Sequence, residues 1–127
     1  MGLRTKKEGG ANYGHHQSKA ASNMAVKLLA YDLLGDGVLV IGVHPGFLKT
    51  SMTADKYAHL YESMDAVTPE FAAPFIIECI CPSTLTEDST GDFVAAMGTY
   101  GIGLGEYALP KQESFGKVIA PGGRLPY

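Results

Sequence analysis

Residues 38–44, VLVIGVH, constrain the chain more than any other stretch. An uncharged run with β-branched residues at Val38, Val40, Ile41 and Val43 reads as a strand buried on both faces, and such strands belong to parallel sheets. The flanking segments agree with that reading. Upstream, from about His16 to about Leu34, Ala20, Ala21, Met24, Ala25, Leu28, Leu29 and Leu33 fall mostly three, four or seven apart, as one broad helical face places them. GDG at 35–37 ends that helix with residues tolerant of positive φ. Downstream, PGFLKTSMT is a turn leaving the strand, and ADKYAHLYESM predicts a short helix. In VTPEFAAPFIIECI, Thr68 is placed as N-cap and Pro69 as the first helical residue, with Pro74 either kinking the helix or sitting near its first turn. STGDFVAA supplies a turn and another strand. The order helix, strand, helix, strand predicts an α/β fold containing part of a parallel sheet, followed by an irregular tail.

The 127 residues read as a single partial domain: a polar, glycine-rich loop over 1–12, the organised segment over 13–96, and a glycine- and proline-rich tail over 97–127 with a short strand at GKVIA. The net charge of -3 gives no general attraction to nucleic acid or to an anionic membrane, so neither is expected as a partner. The basic cluster RTKKE reads as a solvated loop, with an anion contact as the alternative. No apolar run approaches the roughly 18 residues needed to span a bilayer, and MGLRTKKEGG lacks the apolar core of a signal peptide. A cytoplasmic location is expected. Cys79 and Cys81 are too close for an ordinary disulfide and lack a second ligand pair, so they read as buried thiols of a reducing compartment, with no metal. The adjacent His15 and His16 point apart on a helix and make a poor metal site, while His44 and His59 take structural readings.

SKAASNMAVKLLAYDL, then GVLVIGVHPGFLKTSMT, then STGDFVA resemble, in order and spacing, the C-terminal half of a short-chain dehydrogenase/reductase. The ending GGRLPY is similar to the Leu-Pro-aromatic close of some members. The resemblance implies part of a doubly wound, Rossmann-type sheet and an NAD- or NADP-dependent oxidoreductase acting on a carbonyl or alcohol substrate.

The family helix carries Y-x-x-x-K. Residues four apart share a helix face, so an ammonium lowers the pKa of the phenol and holds the nicotinamide ribose while the phenol donates the proton. Lys19 matches the lysine, and four residues earlier stands His15 in place of the tyrosine. An imidazole can donate a proton near neutrality, although it reaches less far than a phenol; the alternative is that His15 only caps the helix start. Tyr13, six residues before Lys19, could substitute only where the local backbone is not helical. The resemblance also assigns a cofactor-side turn to Pro45, Gly46, Leu48 and Thr50, with the Leu48 backbone approaching the carboxamide and the Thr50 hydroxyl the phosphate or ribose. A plain strand-to-helix turn with Thr50 as N-cap is the other reading. The loop after Thr50, with Tyr57 and Tyr61, suggests a lipophilic or aromatic substrate, the equal alternative being a lid with no recognisable specificity.

The family's glycine-rich phosphate loop and its catalytic serine have no counterpart among these residues; GTYGIGLGE at 98–106 follows the last strand and has no acidic residue at a suitable distance. Two expectations follow. One is a truncated oxidoreductase, inactive as it stands. The other is a non-catalytic half-domain that acts as an interaction or dimerisation module, forming a homo- or hetero-dimer through the helix that begins near His16 and ends near Leu34, as that helix commonly pairs in the family. Either way, half a core with an open sheet edge should be marginal in stability or dependent on a partner.

Overall fold

A computed structural model describes residues 13–98 and 120–125. Three helices accompany a small open sheet: α1 spans Tyr13–Leu34, α2 Ser51–Tyr57 and α3 Pro69–Ile80, while β1 spans Gly42–His44, β2 Phe93–Ala95 and β3 Gly123–Arg124. The sheet order is β1-β2-β3. β1 and β2 run parallel with Gly42 opposite Phe93, Val43 opposite Val94 and His44 opposite Ala95. The protein is therefore mixed α/β with a parallel pair, and α2 and α3 lie in the crossover between its two strands. β3 runs antiparallel to β2, placing Arg124 opposite Val94 and Gly123 opposite Ala95, so the tail expected to be irregular contributes a strand at 123–124. Two residues flanked by glycine and proline give no periodic signal; β2's open edge creates that strand. The strand expected at GKVIA falls outside the described residues except for Ala120, which is not in a strand.

α1 is longer by one turn than its periodicity indicated, and it ends as GDG dictates. The Gly37 amide donates to Leu34 O and the Val38 amide to Leu33 O, with Gly37 at φ 74°. These are the two crossed bonds of a Schellman stop, for which a left-handed residue is required. The strand reading for 38–44 was too long: only Gly42–His44 is extended and paired. Val40 is bound instead by the hinge before β2, its amide donating to Thr90 Oγ1 at 2.9 Å and its carbonyl accepting from the Gly91 amide. β1 is also half-buried rather than buried on both faces, because its outer edge meets no strand among the described residues.

The face of α1 that meets the sheet is not the one the apolar spacing marked. Ala20, Ala21, Met24, Ala25, Leu28 and Leu29 are exposed, Leu33 alone of that set is half-buried, and Ala30 is the helix's one buried residue. A Cβ built on Gly42 would lie 3.7 Å from Val26 Cγ2, and one on Gly91 3.3 Å from the Ala30 Cβ. Asn23, Val26, Lys27 and Ala30 thus form the docked stripe, three, four and seven residues apart. The two glycines across from this face, Gly42 and Gly91, let Val26 and Ala30 come close to the backbone.

α3 follows the sequence reading closely. The Thr68 side chain accepts from the Phe71 amide, Pro69 is the first helical residue, and Pro74 sits inside the helix. Ala72 and Cys79 are buried, and Phe75 and Ile76 pack with Ile41 and Val43 around Cys79, Val94 and Ala96. This core is thin, with no large side chain fully enclosed among the described residues. The helix expected over ADKYAHLYESM begins earlier, at Ser51, and tightens into a 3-10 turn over Ala58–Leu60, closing at Asp65 with φ 51°.

Candidate functional site

The direction of α1 follows from its two contacts with the strands. Val26 lies at Gly42, and Ala30, one turn later, lies at Gly91, which is bonded to Val40 and so sits before β1 begins. Moving toward the helix N-terminus therefore means moving toward the carboxyl end of β1. Lys19 is seven residues before Val26 on the same stripe, about 10 Å along the axis. His44 lies two residues beyond Gly42, about 7 Å along the strand. The amino end of α1 accordingly reaches the level of the turn that leaves β1, at the edge where open α/β sheets bind ligands.

At that amino end, His15 and Lys19 occupy one helix face, both exposed. The Ser18 hydroxyl donates to the His15 carbonyl at 2.8 Å, and the His15 and His16 rings meet edge to face at 5.6 Å. Tyr13 lies inside α1 and is 70% exposed, so it is rotated about 120° from Lys19 around the axis. The non-helical backbone that its substitution for the missing phenol would need does not occur there.

The turn after β1 is pinned from several sides. His44 Nδ1 accepts from the Gly46 amide at 3.0 Å, and Gly46 adopts φ 96°, a conformation open to glycine. Since Nδ1 is the acceptor, the neutral ring carries its hydrogen on Nε2. Burial pushes the His44 imidazole down to about 4, and its ring lies against Phe93. The structural reading of His44 thus has a specific content: it shapes the Pro45-Gly46 turn. Further on, the Val67 amide donates to Phe47 O and the Lys49 amide to Val67 O, holding Leu48 beside Val67 in a parallel bridge.

Thr50 is the N-cap of α2, and its amide donates to Thr53 Oγ1 at 3.0 Å in a capping-box arrangement. The Thr53 hydroxyl also reaches Leu48 O at 2.8 Å and Tyr61 Oη at 2.8 Å. Tyr61 packs edge to face on Phe47, and the Lys49 ammonium lies 5.9 Å from its ring centre. Of the two tyrosines of this loop, Tyr61 is turned onto the turn itself, whereas Tyr57 is exposed. The signal that could have found this hub is T-x-x-T at 50–53, a capping pattern placed directly after a strand end.

Elsewhere, Cys79 is buried and its thiol is pushed up by burial and by the neighbouring Glu78 charge, while Cys81 is half-buried; both are free thiols. Among the described residues no cluster of His, Cys, Asp and Glu is arranged to hold a metal ion, and no helix is long and apolar enough to cross a membrane.

Several relatives of this chain are named as oxidoreductases. A 1-hydroxy-2-glutathionyl-2-methyl-3-butene dehydrogenase of Rhodococcus sp. (strain AD45) is 38% identical over 92 residues, covering 72% of this chain and 38% of that protein. An uncharacterized oxidoreductase of Schizosaccharomyces pombe is 36% identical over 92 residues, covering 65% of this chain and 35% of that protein. The C-signal protein of Myxococcus xanthus is 32% identical over 81 residues, covering 58% of this chain and 48% of that protein. No family model and no solved structure matches the chain. The chain is thus oxidoreductase-like. The likeness is partial, because the chain spans less than half the length of these curated relatives.

Proposed function

We propose that this chain forms the nicotinamide-side half of a Rossmann-type short-chain dehydrogenase/reductase, a protein that transfers hydride between NAD or NADP and a carbonyl or alcohol. The observation that carries the reading is the antiparallel docking of α1 on the parallel pair, which puts Lys19 and the turn bearing Pro45, Gly46, Leu48 and Thr50 at one end of β1. The Lys19 ammonium would hold the ribose hydroxyls, and the Leu48 and Thr50 groups would face the carboxamide and the adjacent oxygens. His15, on the Lys19 face, is the group there able to donate a proton as hydride arrives at the carbonyl carbon. The cofactor supplies the hydride; these residues orient it and manage the proton.

The 127 residues contain no glycine-rich loop behind a first strand, so cofactor affinity through this half alone is weak and turnover is absent. The test is an NMR titration of isotopically labelled protein with NADH and NADPH. Shifts confined to the 44–50 turn and the amino end of α1, and reduced about tenfold in apparent affinity by Lys19→Ala, are expected, the loss of one charge-assisted contact. Flat spectra at these positions with both nucleotides would sink the reading, and saturable NADPH consumption with a carbonyl substrate would sink the expectation of inactivity.

A second reading rests on the outer face of α1. Met24, Leu28 and Tyr31 are 59%, 58% and 77% exposed, and they lie on the side opposite the docked Val26 and Ala30. An apolar stripe turned away from its own sheet suits the pairing of this helix with a second copy or a related chain. Leu28→Glu should convert a dimer to monomer in light scattering; an unchanged mass would remove α1 as the interface.

A further inference from the structure

The hydroxyl cluster behind the 45–50 turn assigns a role to Tyr61. A hydroxyl has one hydrogen to donate and two lone pairs to fill. Thr53 Oγ1 has more neighbours than that. Leu48 O, at 2.8 Å, can only accept, so it takes the Thr53 hydrogen. The Thr50 amide, at 3.0 Å, can only donate, so it fills one lone pair. Tyr61 Oη, at 2.8 Å, then donates to the other. Thr53 is saturated by these three partners. Two longer contacts are left over: Thr50 O, at 3.1 Å, competes with the nearer Leu48 O for the one Thr53 hydrogen, and Thr50 Oγ1, at 3.2 Å, finds no hydrogen or lone pair of Thr53 remaining. The other acceptor within reach of the Tyr61 hydroxyl, Thr50 O, is at 3.5 Å, so the phenolic hydrogen goes to Thr53.

We propose that Tyr61 is a positioning residue: by donating its phenolic hydrogen to Thr53 it holds the backbone of Leu48 and Thr50 and leaves the Thr50 hydroxyl hydrogen for an oxygen acceptor of the bound ligand. Without the phenol, the empty lone pair on Thr53 draws the Thr50 hydroxyl inward, 3.2 Å away, and the turn loses its outward donor. Phe47 packs on the Tyr61 ring and Lys49 lies over it, so the phenol is held in register by contacts from the segment it organises. The ligand chemistry is an acceptor-rich group such as a ribose hydroxyl or phosphate oxygen, and this aspect rests on the cofactor reading above.

Amide hydrogen exchange of the 127-residue protein tests the positioning role directly. In Tyr61→Phe, which keeps the ring against Phe47, exchange of the Thr50 and Ala54 amides should rise about three- to tenfold, the equivalent of one hydrogen bond, while the Val94 amide in β2 is unchanged. Thr53→Val should raise Thr50 exchange at least as much, and Thr53→Ser should restore it. If Tyr61 acted through ring packing alone, Tyr61→Phe would exchange like the parent and only Tyr61→Leu would differ; that result overturns the proposal. NADH titration of the same samples separates the two readings. A response to Tyr61→Phe with no NADH shift in any variant leaves the positioning role standing and removes the cofactor, whereas NADH shifts with exchange unchanged in Tyr61→Phe and Thr53→Val remove the positioning role.

Discussion

Arg124 Nη2 lies 2.6 Å from Asp92 Oδ2, joining β3 to the residue that precedes β2. The Asp92 carboxylate is 11% exposed and the Arg124 side chain 66%, so the pair is dry at one end and wet at the other. Asp92 also sets the sheet from its backbone, where its carbonyl accepts from the Gly42 amide at 2.8 Å. One residue therefore links β1, β2 and β3.

Breaking the pair from each side should give unequal results. Arg124→Ala leaves a carboxylate with little water around it and should cost about 1–3 kcal/mol, and Asp92→Asn with Arg124 retained should cost less because a neutral amide tolerates the site better. Urea denaturation of both variants checks this. Equal stability of Arg124→Ala and the parent would mean that β3 is not held by this contact.

The docking of α1 predicts a contrast between two glycines. Gly91 combines φ 80° with a built Cβ only 3.3 Å from the Ala30 Cβ, so Gly91→Ala should destabilise by about 1–3 kcal/mol through backbone strain and displacement of the helix. Gly35 faces open space without a positive φ, so Gly35→Ala should change stability by less than about 1 kcal/mol. Chemical denaturation of the two variants reads the difference, and similar losses at both would argue against close packing of α1 on the hinge before β2.

His44 should make stability depend on acid. In the unfolded chain its imidazole protonates at the ordinary 6.5, whereas in the folded chain burial holds it down to about 4. Between those values the unfolded state binds more protons, so stability rises with pH; the full contribution is present above 6.5 and is lost as pH falls toward 4. Its size is up to about 3 kcal/mol. Protonation at Nδ1 would also break the bond from the Gly46 amide. Urea midpoints at several pH values across the window should fall more steeply for the parent than for His44→Asn, and parallel curves would show that His44 does not titrate this way.

Local signals were legible in the sequence wherever short-range chemistry decides the outcome. Gly37 and its neighbours stop α1, Thr68 and Pro69 start α3, and the parallel pair follows from uncharged segments separated by a helical crossover. Spacing also put His15 and Lys19 on one face, because helical geometry needs nothing beyond the helix itself.

Packing choices lay outside that information. Counting apolar residues favoured Met24 and Leu28 as the buried side of α1, yet close approach to Gly42 and Gly91 rewards Val26 and Ala30, and those glycines are distant in sequence. The pairing of Gly123 and Arg124 with β2 likewise exists only once that edge is formed. Tyr61 could be read as apolar surface for a ligand until the chain turned its hydroxyl onto Thr53. Residue types and helix geometry alone determined which elements form and where they stop; the tertiary structure decided which faces meet and which hydroxyls are satisfied, because both depend on partners that only folding brings within contact distance.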